Sequence, residues 1–370
     1  MRFSISQNEL ANALAVIQKG VSTRSTLAIL SGVLLIAEGD TLTLKTTNGG
    51  DISVKYTANA LVEEPGRTVV SAKLFLDIVK NLNDAAVHFT TAGETAQIKC
   101  DTSSFTIKTI AADDFPEFPQ VQPEDSITIP FTEFCAMVRR VARAVSKDQD
   151  RVILTGVLVQ VEESRLRMVA TDSYRLALTD YKLETEAQTP FSVVIAGSFR
   201  HEVASLPKGI GNITLAVAEN QIIVTYENTV LINKRINGNF PDYRRLLPAA
   251  GSYTAQVVLP VNAFTAAVRR MTLVGDKNPQ MKLSLFPKNQ FMNISAQTMD
   301  VGSVEDSLPC AGEGEDVQIA FNCGYILDGL SAIETDMCSL EVVAANRPGI
   351  IHAGEGQDFL YLIMPVQLMS

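Results

Sequence analysis

The segment Ser126–Lys147, SITIPFTEFCAMVRRVARAVSK, combines a short strand with a two-faced helix. Polar and apolar residues alternate from Ser126 to Pro130, as in a strand, and a turn near Thr132 is predicted to cap the following helix. The helix has an apolar arc and, on its opposite side, a basic arc. The apolar arc contains Phe134, Met137, Val138, Val141 and Val145, and the basic arc contains Arg139, Arg140, Arg143 and Lys147. One side therefore belongs to a core and the other forms a basic stripe.

Two other segments carry the same pattern. RFSISQNELANALAVIQKGVS lies 124 residues earlier, with Lys19 in the position of Arg143 and an apolar face of Leu10, Ala13, Leu14, Ile17 and Val21. VVLPVNAFTAAVRRMTLVGD lies 130 residues later and repeats the proline, the phenylalanine and the paired arginines, here Arg269 and Arg270. These copies indicate an internal repeat of about 125 residues, which is a duplicated domain.

The segments that follow each helix support the repeat. Each copy continues with a predicted hairpin, then another strand, and then a second strand and helix. The hairpins pair Gly32–Glu38 with Thr41–Thr46, Gly156–Glu162 with Arg165–Ala170, and Met281–Phe286 with Phe291–Ala296. We predict an α+β chain of three similar tandem domains, 1–124, 125–250 and 251–370, each with two helices packed on antiparallel sheet. Three such domains form an arc, and dimerisation that closes it gives a two-fold, six-domain ring.

Composition limits the remaining possibilities. No apolar run approaches the ~20 residues of a membrane span, and the N-terminus has no secretion signal, so we expect a cytoplasmic protein. The five scattered cysteines lack a CxxC pair, and no metal, nucleotide or nucleophile motif is found, so no cofactor is predicted. The net charge of −10 is unusual for a nucleic-acid binder, but the 31 Lys and Arg residues could be gathered on one surface.

Three motifs carry a family resemblance: VATDSYRLAL at Val169–Leu178, FPDYRRLLP at Phe240–Pro248 and YLIMPVQL at Tyr361–Leu368. In this order on a threefold repeat, they resemble the bacterial DNA sliding clamps, the β subunits of DNA polymerase III, over essentially the full length. The resemblance implies a DNA polymerase processivity factor without catalytic activity. It implies a homodimeric ring around duplex DNA, lined by helices, with a groove between domains 2 and 3 that binds short peptides of polymerases, the clamp loader and repair factors.

A sliding ring requires attraction to phosphates without base readout, which Lys and Arg on helix faces supply. The candidates are Arg24, Lys73, Lys80, Arg139, Arg140, Arg143, Lys147, Arg269 and Arg270. The alternative is that each basic stripe is only the solvated face of an amphipathic helix. The second helix of the third repeat carries Asp328 and no Lys or Arg, so the lining is expected to be uneven.

The resemblance also places the peptide groove and the dimer contact. The groove residues are Leu154, Thr171, Ser173, Tyr174, Arg175, Leu176, Pro241, Arg245, Leu246, Leu362, Met364, Pro365, Val366 and Gln367. Two departures affect the preference for partners: Ser173-Tyr174 occupies a position that is often Gly-His in the family, and Gln367 stands where arginine is common. The dimer contact joins Phe105 and Ile107, on an edge strand, to Thr272 and Leu273 of the other copy, although a core role for Phe105 and Ile107 fits the pattern equally well.

Three other interpretations of the sequence remain open at this point. Thr171–Arg175 and FPDYRRLLP are also typical of a turn between strands and of an interdomain connector. An enzyme could use Asp172, Tyr174 and Arg175 as an acid, base and anion-binding group. A duplicated scaffold could bind proteins without encircling DNA.

Overall fold

Three consecutive α+β repeats make up the chain. The computed structural model describes residues 1–22, 27–120, 125–187, 189–203, 206, 209–249, 251–274, 279–298 and 301–367. Each repeat has a strand and a helix, three strands, a second strand and helix, and three closing strands, with one additional short strand in the first and third repeats. Every strand pairing among these residues is antiparallel. The predicted fold class is confirmed.

The strands and helices have the following bounds. The strands of the first repeat are β1 (Arg2–Ser6), β2 (Gly32–Glu38), β3 (Thr41–Thr47), β4 (Ile52–Asn59), β5 (Leu61–Glu64), β6 (Gly66–Ser71), β7 (Ala86–Ala92), β8 (Thr95–Cys100) and β9 (Ser103–Ile110). Those of the second are β10 (Asp125–Pro130), β11 (Gly156–Glu162), β12 (Arg165–Thr171), β13 (Arg175–Lys182), β14 (Phe191–Ala196), β15 (Asn212–Val217), β16 (Gln221–Tyr226) and β17 (Thr229–Lys234). Those of the third are β18 (Ala255–Pro260), β19 (Gln280–Phe286), β20 (Phe291–Thr298), β21 (Gly302–Pro309), β22 (Ala311–Gly314), β23 (Val317–Asn322), β24 (Met337–Val342), β25 (Gly349–Ala353) and β26 (Phe359–Ile363). The α-helices of the described residues are α1 (Gln7–Ile17), α2 (Ala72–Lys80), α3 (Phe131–Val141), α4 (Phe199–Val203), α5 (Val261–Met271) and α6 (Cys323–Leu330).

The strands are grouped in two compact units. Unit 1 comprises residues 1–135 and 198–235 and holds a 13-stranded sheet. Unit 2 comprises residues 136–197 and 236–370 and holds a nine-stranded and a four-stranded sheet. The second repeat thus contributes strands to both units, while the predicted domain boundaries, 1–124, 125–250 and 251–370, follow the repeats.

The large sheet of each unit continues from one repeat into the next through an equivalent strand pair. In unit 1, β17 closes the second repeat and pairs with β4 of the first, from Thr229↔Tyr56 to Asn233↔Ile52. In unit 2, β26 closes the third repeat and pairs with β13 of the second, from Arg175↔Ile363 to Thr179↔Phe359. We call these two pairs seam 1 and seam 2. At each seam, the last strand of one repeat pairs with the third strand after the first helix of the preceding repeat.

The first helix of each repeat buries its predicted apolar face. Leu10 and Leu14 of α1, Phe134 of α3 and Phe264 of α5 have 0% of their surface exposed. Burying a side chain of this size contributes about 1.5–3 kcal/mol each, so these stripes fix how the helices dock. Ser6 caps α1 by accepting a hydrogen bond from the Glu9 amide at 3.3 Å.

Two predictions about α3 were wrong. The helix begins at Phe131, so Thr132 lies inside it and does not precede it as a cap, and the Phe131 amide donates to the Gly211 carbonyl at 3.0 Å. The helix ends at Val141 and a short 3₁₀ turn over Ala142–Ala144 follows, so Val145 is extended and Lys147 lies beyond the helix. Among the described residues, none of the helices is both long enough and apolar enough to span a membrane.

Candidate functional site

The turn between β12 and β13 shapes the centre of the predicted groove. The Thr171 hydroxyl donates to the Arg175 carbonyl at 2.7 Å, and Asp172 Oδ1 accepts from the amides of Tyr174 and Arg175 at 2.9 and 3.0 Å. Ser173 has φ +79°, a conformation that glycine adopts without strain and other residues rarely do. The glycine that the family resemblance implies at this position would adopt this conformation without strain. The Ser173 hydroxyl accepts from Arg151 Nη1 at 2.8 Å, which fixes the turn.

Arg175 is buried in a polar network, with 10% of its side chain exposed. Its guanidinium donates to Asp172 Oδ2 at 3.0 Å, to the Arg143 carbonyl at 2.6 Å and to the Tyr361 hydroxyl at 3.3 Å. It also pairs with the Asp328 carboxylate of α6. The Tyr325 ring lies 4.5 Å from the guanidinium carbon, within cation–π range. Burial alone would lower the pKa of Arg175, but the Tyr361 hydroxyl, Asp328 and Asp172 together raise it, so the side chain stays charged.

An apolar floor lies beside this network, within unit 2. Leu176 and Leu362 face each other across seam 2 and belong to one buried cluster with Tyr243 of the FPDYRRLLP segment. Leu154 is also buried, with 3% exposed. Thr171 and Arg175 are buried as well. The walls and floor of the predicted groove are therefore formed by five of its predicted residues, none of them a free side chain: Leu154, Thr171, Arg175, Leu176 and Leu362.

The remaining groove residues form a more exposed rim. Tyr174, Leu246 and Met364 are 60%, 46% and 37% exposed and give this rim its apolar surface. The Met364 amide donates to the Tyr174 carbonyl at 2.8 Å, and the Val366 amide donates to the Ala320 carbonyl at 2.9 Å, so the tail is held in place. The exposed rim residues also include Ser173, Pro241, Arg245 and Gln367, whereas Pro365 and Val366 are half-buried. Arg245 pairs with Asp242. An apolar floor with a flexible methionine and a few polar groups suits an extended peptide.

The predicted basic residues separate into two groups. Arg140, Arg143 and Arg270 form ion pairs with Glu334, Asp328 and Asp306, and the Arg140 side chain is only 12% exposed. The expectation that Arg140 belongs to an open basic stripe was wrong, because the side chain turns toward Glu334. Arg139 is 71% exposed, with Glu334 3.7 Å away. Lys73, Lys80, Lys147 and Arg269 are exposed and form no ion pair with a described carboxylate. Arg24 lies outside the described residues.

The predicted dimer residues also differ in exposure. Ile107 is 7% exposed, so its side chain belongs to the core, as the second interpretation had it. Phe105 and Leu273 are 39% and 78% exposed, and Thr272 is half-buried. Of the four predicted dimer residues, Phe105 and Leu273 therefore have the exposed apolar side chains.

Sequence reasoning missed three participants in the site: Arg151, Tyr325 and Tyr243. Arg151 fastens Ser173, the Tyr325 ring stacks 6.3 Å from Tyr174, and the Tyr243 hydroxyl donates to Gln160 at 2.6 Å. Only Tyr243 left a signal, as part of the FPDYRRLLP motif. The other two contact partners that are distant in sequence.

The family comparisons agree with this geometry. Three models of the DNA polymerase III beta subunit match in order: the N-terminal domain over residues 1–119, the central domain over 128–242 and the C-terminal domain over 244–367. The beta sliding clamp of Bacillus subtilis is 29% identical over 99% of this chain and 100% of its own length, and that of Streptomyces coelicolor is 28% identical over 100% of both.

Solved structures give the same result. The DNA polymerase sliding clamp of Bacillus subtilis superposes over 100% of both chains with a TM-score of 0.94 at 28% identity. The DNA polymerase III subunit beta of Pseudomonas aeruginosa superposes over 99% of this chain with a TM-score of 0.91 at 27% identity. The repeated fold, the groove motifs and the three consecutive domain matches lead to one conclusion: this chain belongs to the beta subunit family of DNA polymerase III, the bacterial sliding clamps.

Proposed function

We propose that the protein is a DNA polymerase processivity factor that acts in the cytoplasm as a homodimeric ring on duplex DNA. In this proposal three domains, bounded at 1–124, 125–250 and 251–370, contribute half of the ring. The ring holds DNA independently of sequence and tethers the replicative polymerase, the clamp loader and repair proteins through the groove of unit 2. Family membership over nearly the whole chain is the observation that carries it.

Two open sheet edges support ring closure. Residues 103–108 of β9 pair only with β8, and β21 pairs only with β20, among the described strands. Both seams join the last strand of one repeat to the third strand after the first helix of another. By the same rule, β9 of one copy would pair with β21 of a second copy. Two such contacts close a two-fold ring and cover edges that would otherwise invite aggregation.

Weak attraction to phosphates suits sliding. Lys73, Lys80, Arg139, Lys147 and Arg269 retain exposed cationic groups, and each phosphate contact adds only about 0.9 to the log–log salt slope. The chain as a whole is acidic, so DNA would be repelled from the rest of the surface. Persistence on DNA would therefore come from the closed ring and not from affinity.

The groove supports the tethering role. A leucine and an aromatic residue of a partner peptide would bury about 300 Å² of apolar surface against the exposed rim of Tyr174, Leu246 and Met364, worth about 7 kcal/mol before the costs of association. The resulting modest affinity allows partners to exchange. Asp172 and Arg175 are engaged in the turn and its network, which argues against their use as catalytic groups.

The test is retention on DNA of defined topology. The full-length protein is loaded with clamp loader and ATP onto nicked circular plasmid or its linear form, and then passed through gel filtration at about 1 M NaCl, where the Debye length is about 3 Å. We expect retention on the circle and loss from the linear DNA. Equal loss from both forms would instead support a protein-binding scaffold that does not encircle DNA.

Variants separate the three surfaces. Charge reversal of Arg139, Lys147 and Arg269 should slow loading without lowering the melting temperature, and reversal of Lys182, outside the candidate set, is the matched control.

Phe105→Asp with Leu273→Asp should give monomers in sedimentation, whereas Leu61→Asp, at another exposed leucine, should not. Truncation after Ile363 should abolish peptide binding and leave the dimer intact. A persistent dimer in the double variant would move the interface elsewhere.

A further inference from the structure

A second concave site lies at seam 1. It is a cleft of about 480 Å³ entirely within unit 1, formed by the β3, β4, β16 and β17 surface and the segment after β9. Its lining residues are Lys45, Lys55, Glu117, Phe118, Pro119, Gln120, Ile223, Val230 and Ile232. Ile223, Val230 and Ile232 contribute aliphatic side chains to this lining, Phe118 contributes an aromatic ring, and Lys45 and Lys55 contribute two ammonium groups.

The strand registers make this cleft the counterpart of the groove floor at seam 2. Ser53 faces Ile232 across seam 1, as Leu176 faces Leu362 across seam 2. One step along, Lys55 faces Val230, as Leu178 faces Leu360. The repeat has therefore produced the same strand arrangement twice.

The chemistry of the two sites differs because of two lysines. Lys45 and Lys55 are directly opposite each other on β3 and β4, where the equivalent pair in unit 2 is Val169 and Leu178. Like charges in this position destabilise a sheet. Neither lysine forms an ion pair with a described carboxylate, Glu117 of the same cleft included, although the chain carries a net charge of −10.

The cleft also partly withdraws Lys45 from water. Its Nζ lies 5.4 Å from the centroid of the Phe118 ring. Burial, and secondly the charge of Lys55, lower the pKa of Lys45. An anion placed between the two ammonium groups would offset their repulsion and favour the charged form of Lys45.

We propose that this cleft binds an extended acidic peptide of a protein partner, with carboxylates on Lys45 and Lys55 and an apolar side chain on Ile223, Val230 and Ile232. The choice of a peptide rests on the proposed function of the equivalent groove. A small inorganic anion would leave the apolar floor uncovered, whereas alternating acidic and apolar side chains use both halves of the cleft. Charge complementarity would then direct different peptides to the two seams of one chain.

The test uses the full-length protein and two fluorescein-labelled peptides, Glu-Val-Glu-Val-Glu and its neutral counterpart Gln-Val-Gln-Val-Gln, which lack the leucine and the aromatic residue expected in the seam 2 groove. Fluorescence anisotropy should show tighter binding of the acidic peptide and a loss of its affinity as salt rises. Lys45→Gln with Lys55→Gln should weaken acidic peptide binding about tenfold, because two charge-assisted contacts are removed. Met364→Ala, in the seam 2 groove, should leave it unchanged. Backbone-amide NMR shifts on titration should include Ile232.

Each result separates this proposal from the proposed function. Three results would overturn the cleft assignment: equal affinity for the two peptides, affinity for the acidic peptide that does not change in the lysine variant, or no binding of the acidic peptide at about millimolar concentration. A millimolar dissociation constant corresponds to only about 4 kcal/mol. Weakening by Met364→Ala alone would assign the acidic peptide to the seam 2 groove and leave the tethering proposal standing. The lysine variant should melt no lower than the parent, since it removes a repulsive pair, so a folding defect would not mimic the expected loss.

Discussion

The two seams pair equivalent strands in the same register but differ in how their side chains accommodate charge. Seam 2 buries Leu176 and Leu362 in an apolar cluster and places one charged side chain, Arg175, among several partners. Seam 1 has Ser53 and Lys55 at the equivalent strand positions and leaves its lysines half-buried without carboxylate partners among the described residues. Duplication thus preserved the backbone, while the side chains decided where charge is neutralised.

The seams also place a carboxylate of the second helix differently. In unit 2, Asp328 of α6 binds Arg175 on the third strand of the preceding repeat. In unit 1, Glu202 of α4 accepts a hydrogen bond from Asn233 on the closing strand at 2.9 Å, where seam 2 has Ile363. A carboxylate that stays charged in an ion pair needs a cation at a fixed position, whereas a buried carboxyl group with amide partners can become neutral instead.

The largest effect is expected from giving seam 2 the charge of seam 1. Leu178 is 5% exposed, so Leu178→Lys removes packing and buries an ammonium group without a partner. We expect unit 2 to lose about 4 kcal/mol of stability, measured as a shift of its urea unfolding transition. Lys55→Leu is the matched exchange in unit 1 and should change stability by less than about 1 kcal/mol, because it removes a like-charge pair. Similar losses in both variants would mean that the seams do not differ in their tolerance of charge.

A smaller effect is expected from removing the charge that neutralises Arg175. Asp328→Asn leaves a largely buried guanidinium with one carboxylate partner, Asp172, and should cost about 2 kcal/mol. Asp306→Asn is the control, since its partner Arg270 has a half-exposed side chain and such pairs contribute about 0–1 kcal/mol. Thermal melts of both variants at low and high salt provide the measurement. Equal costs would show that burial of the Arg175 network adds nothing.

The network also marks how far the sequence alone could lead. The repeat predicted β2 and β11 with their observed bounds, because alternation and turn residues are local signals. The pairing of Arg175 with Asp328 joins residues 153 positions apart, and no periodicity records such a contact. The same limitation placed Arg140 on an open stripe, since its position on the helix was visible but Glu334 was not. The groove residues were predicted only through the family resemblance, because no local pattern in the sequence marks them as a group.

Glu202 provides a pH-dependent comparison. Burial raises its pKa above the ordinary value of 4.5, although Asn233 and other partners oppose the shift. A raised pKa in the folded state means that the group stabilises the fold below about pH 4.5 and that this contribution is lost as pH rises through the folded pKa. Glu202→Gln should therefore be more stable than the parent at neutral pH, with the difference disappearing in acid. Thermal melts between about pH 4 and 7 should show this convergence, whereas a constant difference would exclude titration of Glu202 as its cause.

The smallest effect concerns Lys45, whose contribution to folding stability changes with pH in the direction opposite to that of Glu202. Burial, together with the Lys55 charge, lowers the pKa of Lys45 below its ordinary value of 10.5. The unfolded chain then binds more protons than the folded protein as the solution becomes alkaline, so this group favours folding increasingly as pH rises toward 10.5. Lys45→Met removes the titration but retains the apolar stem, and should melt slightly higher than the parent at neutral pH, with the gap closing in alkali. Lys99→Met, at an exposed lysine, is the control and should show no such convergence. Saturation with the acidic peptide should also abolish the difference, because bound carboxylates would favour the charged form of Lys45 and so oppose the lowering of its pKa. A difference in melting temperature that persists with peptide bound would mean that the carboxylates do not reach Lys45. The charges of the two seam 1 lysines would then be screened only by solvent.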